Sequence, residues 1–361
     1  MPILSLTVNN FRNLQDATID VHSKEVFFVG ENGQGKSNLL EAIYMSSYGN
    51  SFKTHAEAEI PRFGSDYFSV KTFFREESGV SHTINITYEG NKAIKKTIVK
   101  NGKKLKDRKD MINTIPCVLF CHDDLDFAVG EPERRRFFLD QSLSMYDVMY
   151  IDVMRRYKKV LKSRNLLLKE KKYETLNVYD FQLAENGREI IQKRKNAVYQ
   201  FNRIFSTLFE KITGISGVYI AYEPSWKSNE MAEIIQTLNS KLEMDKALGT
   251  TMSGPHRDKV RFMKGSKQFI PSASTGQRRL VALILRIAQA QYYSEITGKK
   301  PVLLMDDVLL ELDPDKRQKV TALLPEYEQL FCTFLPGEPY DRYKKTTTKI
   351  YNIEGGVWSE Q

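Results

Sequence analysis

Three cysteines in 361 residues leave little to build a disulfide framework from. Cys117, Cys121 and Cys332 are few and scattered, so reduced thiols are expected. Cys117 and Cys121 with His122 raise a metal reading, yet they fall along the apolar stretch IPCVLFC and no second ligand pair accompanies them, so a core strand is preferred. No uninterrupted apolar run approaches the roughly 20 residues needed to cross a bilayer. The start MPILSLTVNNFRN places no basic leader before an apolar block, and a soluble cytoplasmic protein without membrane association is the expectation. Internal repeats and low-complexity linkers are also lacking. A hydrophobic content of 41% over this length supplies an ample core and suggests about two domains.

Charge is present in excess of one sign. Lys and Arg number 54 against 45 Asp and Glu, a net +9. The excess is local: Asn91 to Asp110 holds nine basic and two acidic residues, and Ile151 to Lys211 fifteen and seven. The remainder of the chain is net acidic, so positive potential gathers on particular surfaces, as binding to a polyanion requires. The first window, KKTIVKNGKKLKDRKD, predicts a strand-turn-strand around Asn101-Gly102 and reads either as a solvated hairpin or as a polyanion-facing one. In the second, Tyr157, Tyr173 and Tyr199 are interleaved with the charge, which suits nucleic acid and helix packing alike.

The stretch VGENGQGKSNLLEAI, Val29 to Ile43, carries three glycines and a lysine between a buried strand, Val26 to Val29, and a helix starting near Lys36. Gly30, Gly35, Lys36 and Ser37 fit G-x-x-x-x-G-K-[ST], and the intervening Glu31, Asn32, Gly33 and Gln34 complete a phosphate cradle. The following helix aims its positive end at the same place. Lys36 can reach terminal phosphates and Ser37 can ligate Mg2+, which points to ATP and magnesium.

Residues 1–122 read as alternating strands and helices with an antiparallel edge in VKTFF, HTINITYEG and AIKKTIV. From 123 to 255 the texture is helical, polar and basic, an inserted arm with apolar positions such as Leu161, Leu168, Ile190, Phe201 and Phe205. Residues 256–361 return to strand and helix. There PVLLMDDV is an apolar strand ending in two carboxylates: Asp306 suits the magnesium shell and Asp307 is the choice for polarising water, with Lys36 its partner in catalysis. In SASTGQRRLVALILRIA, Ser274, Thr275, Gly276 and Gln277 open a long helix. They read either as a plain N-cap or as a second anion site that reaches the γ-phosphate of a partner subunit.

The cradle, the STGQ helix start, the MDD strand and Glu311-Leu312-Asp313 occur in the order of ABC-type ATPases. NNFRN, GENGQGKSNLLEAIY, PERRRFFLD, GPHRD, ASTGQRR and LLMDDVLLELD, from Asn9 to Asp313, resemble the RecF family of DNA repair proteins. The resemblance implies an α/β fold, an ABC/SMC-like P-loop ATPase head with a mixed sheet and an inserted mainly helical arm. It also implies a weak, DNA-stimulated ATPase used as a switch: ATP-driven homodimerisation, binding to duplex and to ssDNA-dsDNA junctions, and a part with RecO and RecR in loading RecA during gap repair, with links to replication and the SOS response. Carried over, Gly30 to Ser37 bind phosphates, Asp306 serves Mg2+, Asp307 hydrolysis, Ser274 to Gln277 act in trans, and Asp313 sits at the dimer seam. Arg12 touches the nucleotide or makes a strand-end salt bridge, and His256 of GPHRD is a γ-phosphate contact or a structural histidine. Three departures stand out: His122 replaces the family's proline, and Thr333 and Thr275 replace a histidine and a glycine of transporter heads, both in RecF manner, so slow hydrolysis is expected.

Three other readings compete. An ABC transporter ATPase subunit would carry a glycine-rich signature and a coupling groove, neither of which is visible. An SMC-like structural protein needs coiled coils far longer than an arm of about 130 residues, whose helices would each span only ~30 Å. A nuclease would need a further carboxylate and histidine set.

Overall fold

The computed structural model of the chain describes residues 2–76, 79–90, 95–112, 114–310 and 312–361. Two compact units result, one of Met1–Asp123 with Tyr293–Gln361 and one of Asp124–Tyr292. In chain order the first unit runs β1 (Ile3–Asn9), β2 (Ala17–Asp20), β3 (Glu25–Val29), α1 (Lys36–Tyr48), β4 (Tyr67–Arg75), β5 (Ser81–Glu89), β6 (Lys95–Lys100), β7 (Lys103–Lys104), α2 (Lys109–Ile112) and β8 (Cys117–Phe120). The second runs α3 (Leu125–Val129), α4 (Pro132–Tyr146), α5 (Val148–Lys169), α6 (Leu176–Thr213), β9 (Val218–Glu223), α7 (Met231–Leu248), β10 (Lys259–Lys264) and β11 (Lys267–Gln268). After α8 (Thr275–Thr297) the first unit resumes with β12 (Val302–Met305), α9 (Pro314–Ala322), β13 (Leu330–Phe334), β14 (Lys349–Glu354) and β15 (Val357–Glu360).

Burial patterns sort the strands of the first unit into two sheets. Along β4 and β5 buried residues alternate with more exposed ones, as in an antiparallel sheet with one wet face, and these strands lie in the order β2-β1-β4-β5-β6-β7. By contrast EVFFV and VLLM are buried throughout, as strands covered on both faces must be. They belong to the sheet β15-β14-β3-β13-β12-β8, parallel from β14 to β8. Leu6, Val70 and Ile86 of the first sheet, Leu39, Leu40 and Ile43 of α1, and Val26, Phe28, Leu304 and Phe331 of the second share one core. Burial of each such side chain is worth about 1.5–3 kcal/mol, so α1 is fixed before any ligand binds.

The turn expected at Asn101-Gly102 joins β6 to β7, with φ of 51° and 76°, the left-handed pair of a type I′ hairpin. Lys103 and Lys104 are exposed, whereas Lys96 pairs with Glu57 and Lys100 donates to Thr114 Oγ1 at 2.9 Å. Asn91 to Ile94 of this basic window, and Glu311 of the Glu311-Leu312-Asp313 motif, lie outside the described residues. Cys117 is buried in β8 within the core of the first unit.

Helices form most of the second unit, together with the sheet β11-β10-β9. Pairing of β9 with β10, from Val218↔Lys264 to Glu223↔Lys259, draws the residues after 255 into this unit, whose second boundary falls inside α8 at Tyr292/Tyr293. Texture alone suggests 255/256. The ~30 Å expected for each arm helix is too short: α6 has 38 residues, or about 57 Å at 1.5 Å per residue. The physical reason is phase, because buried residues recur every three or four positions from Leu176 to Ile212 with no proline to break them. Among the described residues no helix is long and apolar enough to cross a membrane.

Candidate functional site

The cradle begins where β3 ends and finishes where α1 begins. Gly35 takes φ 118° at the N-cap of α1, a conformation that side chains resist. A Cβ on Gly30 would lie 2.4 Å from the carbonyl oxygen of Ile353, so only glycine lets β14 approach this closely. Lys36 is 3% exposed, and its ammonium donates to the carbonyls of Gly30 (2.7 Å) and Glu31 (3.1 Å), which puts the positive charge within the loop. Glu31, Asn32 and Gly33 form the exposed outer part of the loop.

Register brings the second half of the site to the first. Met305 is level with Cys332, and Cys332 with Phe27, so the next rung carries Asp306, Thr333 and Phe28 at the carboxyl ends of three parallel strands. Ligands of open α/β sheets bind at that edge. Ser37 Oγ donates to Asp306 Oδ1 at 2.6 Å, although 269 residues separate them. Asp306 is pushed above the ordinary carboxylate range by burial first; the neighbouring charge of Asp307 adds to the rise and the Ser37 hydrogen bond opposes it. A desolvated carboxylate beside a serine hydroxyl supplies the hard oxygen donors that magnesium takes, so these two residues fit that ion. Asp307 sits at φ 55°, its N–H donating to Thr333 Oγ1 (2.8 Å) and its Oδ1 accepting from the same hydroxyl (2.7 Å). Strand alternation turns Cys332 and Phe334 to the opposite face, where with Phe27 and Met305 they line a cavity of about 930 Å³.

Arg12 occupies the left-handed region at φ 53° and grips Glu41 of α1 with two parallel hydrogen bonds, 3.0 and 2.7 Å, while donating to the carbonyl of Glu59 at 2.8 Å. Of the two roles weighed for it, the salt bridge is the one present in this structure. Glu41 is fully buried and also accepts from Ser51. Sequence reasoning passes over Glu41, which reads as an ordinary helical glutamate. It also passes over Lys53, whose ammonium donates to Asn38 Oδ1 at 2.7 Å and has its pKa lowered by desolvation, against the opposing charges of Glu41, Asp306 and Asp307. A lysine five residues beyond a helix gives no periodic signal.

In the second unit, Ser274 and Gln277 form a reciprocal capping box: Gln277 N–H donates to Ser274 Oγ at 3.2 Å and Ser274 N–H to Gln277 Oε1 at 2.8 Å. Ser274, Thr275 and Gly276 are exposed. The N-cap reading therefore holds in this structure, and the box presents the helix start to solvent. Asp313 caps α9, accepting from Lys316 N–H at 3.0 Å.

The RecF/RecN/SMC N terminal domain matches residues 2–358. The DNA replication and repair protein RecF of Treponema pallidum is 49% identical over 98% of this chain and 100% of its own length. The chain belongs to the RecF family. RecF of Leptospira interrogans, also a DNA replication and repair protein, is 33% identical over 91% of this chain and 90% of its own. Among solved structures, the recombination mediator protein RecF with ATP, of the RecFOR pathway, superposes at a TM-score of 0.88 with 30% identity, covering 99% of this chain and 97% of that one. An Smc head bound to the C-winged helix domain of ScpA gives 0.60 at 16% identity over 100% of this chain and 97% of its own, a likeness of fold. The ABC/SMC-type head implied by the resemblance is thus the fold of this RecF-family chain.

The RecF-like GPHRD stretch anchors a buried polar hub. Arg194 of α6 holds both oxygens of Asp140 at 2.9 Å and reaches Asp258 Oδ2 (3.0 Å) and the carbonyl of Pro255 (2.7 Å). Tyr150 and Tyr222 donate to the same two carboxylates. His256 is held at both ring nitrogens, Nε2–H donating to the carbonyl of Thr251 (2.9 Å) and Nδ1 accepting from Tyr157 (2.7 Å). Of the alternatives weighed for His256, the hydrogen-bonded structural histidine is the one seen. Burial lowers its pKa to about 4. The unfolded chain takes up this proton near pH 6.5 and the fold resists it until about 4, so stability is full above 6.5 and lost as pH falls. Urea unfolding at pH 5 is expected to give roughly 2 kcal/mol less stability than at pH 7.5, a difference that His256→Gln reduces.

Proposed function

We propose that the protein is an ATP-gated clamp on DNA that acts in recombinational gap repair. The observation that carries the reading is the Ser37–Asp306 hydrogen bond of 2.6 Å, which joins the phosphate cradle to the strand-end carboxylates in one place. Gly30 to Ser37 wrap the triphosphate, with Lys36 supplying positive charge at its outer end. Magnesium, held by Ser37, Asp306 and the phosphates, would neutralise charge on the β- and γ-oxygens. Asp307, braced by Thr333, has a second oxygen to accept a proton from the attacking water. Arg12 is the remaining proposed nucleotide contact.

A second copy completes the pocket: Ser274, Thr275, Gly276 and Gln277 offer an exposed helix start to the γ-phosphate across the seam, and Asp313 lies at that seam. The exposed basic residues of α5 and α6 in two joined copies would grip duplex and ssDNA-dsDNA junctions through phosphates, with sequence-tolerant affinity that falls steeply with salt. Slow hydrolysis then releases the clamp. The relatives' part in DNA replication and repair supports this reading, with RecR and RecO as partners and assistance to RecA as the outcome.

Sizing the protein with and without ATP and magnesium, then with a gapped duplex, tests the scheme. A shift from monomer to dimer on ATP and co-elution with DNA are expected. Ser274→Arg should bind ATP yet remain monomeric, and Asp307→Asn should prolong the dimer. A parent protein that stays single at saturating nucleotide overturns the clamp.

A further inference from the structure

The last two strands pair with Glu354 opposite Val357, leaving a two-residue turn at Gly355 (φ 56°) and Gly356 (φ 83°). This turn lies against the phosphate cradle, 321 residues away in sequence. Gly356 N–H donates to the main-chain carbonyl of Gln34 at 2.8 Å and Gly355 N–H to its side-chain Oε1 at 2.6 Å. Gly356 in turn accepts from Gln15 N–H at 2.9 Å, and Asn13 Nδ2 donates to the carbonyl of Gly33 at 3.3 Å. Three segments, 13–15, 33–35 and 355–356, are thus mutually bonded. There is no room for a side chain at Gly356: a Cβ there would lie 1.8 Å from the carbonyl oxygen of Asn13, which is backbone and cannot swing aside.

A peptide unit is planar, with its C=O and N–H on opposite sides. Pinning the Gln34 carbonyl outward onto Gly356 therefore turns the Gly35 N–H the other way, toward the cradle. Gly30, at the cradle's other end, abuts the same hairpin through Ile353.

We infer that Gly356 is the positioning residue of the phosphate cradle, acting through the Gln34–Gly35 peptide to aim the Gly35 amide at the triphosphate. The inference rests on the ATP-binding reading above. A cradle held in its bound shape binds without the cost of ordering it.

Two variants of the full-length protein separate positioning from loss of a turn glycine. Gly356→Ala must displace backbone and is expected to bind ATP at least about tenfold more weakly, whereas Gly355→Asn, with nothing within 4 Å of its Cβ and a residue that tolerates positive φ, should stay within about threefold. Hydrogen exchange on the unaltered protein needs no variant: ATP should slow exchange in 353–361 along the same isotherm as in 30–37. Unchanged exchange in 353–361 at saturating ATP, or unaltered ATP affinity in Gly356→Ala, overturns the inference. Lys36→Ala serves as the control, for if it too binds ATP like the parent, the ATP reading has failed rather than the positioning role.

Discussion

A Lys36→Ala variant is expected to bind ATP about 100-fold more weakly than the parent and to lose any nucleotide-dependent grip on DNA. Lys36 is 3% exposed and its ammonium donates to two loop carbonyls. Its removal takes away a charge-assisted partner for the phosphates and leaves the carbonyls of Gly30 and Glu31 without their donor. A charge-assisted contact worth about 3 kcal/mol corresponds to roughly 100-fold in affinity. The fold should survive, because α1 is anchored by Leu39, Leu40 and Ile43 in the core of the first unit. Calorimetric titration with ATP measures the first effect, and thermal unfolding without nucleotide checks the second. Undiminished ATP affinity would mean that the cradle does not hold the triphosphate.

Arg194→Leu should destabilise the second unit by about 3–5 kcal/mol, the range for removing one partner of a buried ion pair. Leucine leaves Asp140 and Asp258 without their cation, and Tyr150 and Tyr222 cannot replace it, since a phenol donates one hydrogen bond and carries no charge. Arg194→Lys is expected to recover only part of the loss, because one ammonium cannot span the bidentate bond to Asp140 and the contact to Asp258 together. Urea unfolding followed by the fluorescence of Trp226, fully buried in this unit, reads the difference. A loss below about 1 kcal/mol would mark the hub as dispensable for stability.

Features set by near neighbours in sequence were legible without coordinates. The strand-loop-helix of Val26 to Ile43, the turn at Asn101-Gly102, the apolar strand ending in Asp306 and Asp307 and the cap at Ser274 follow from backbone preferences and side-chain periods acting over a few residues. Buried spacing along α6 was visible too, but its length was underestimated because apolar positions were read as several helices rather than one unbroken phase. Polar partners were not legible. Arg12 gives no sign that it holds Glu41, 29 residues on, and GPHRD does not disclose that its histidine and aspartate close a network around Arg194.

By itself, then, the sequence determined the chemistry on offer: a phosphate-cradle motif, a pair of strand-end carboxylates, a capped helix start and a surplus of positive charge in two windows. Only the tertiary structure decided which of these meet. Local conformation depends on residues within a turn of one another, whereas the contact of Ser37 with Asp306 and of Gln34 with Gly356 depends on strand order and register, which arise when distant segments share one core and bury their hydrogen-bonding groups together.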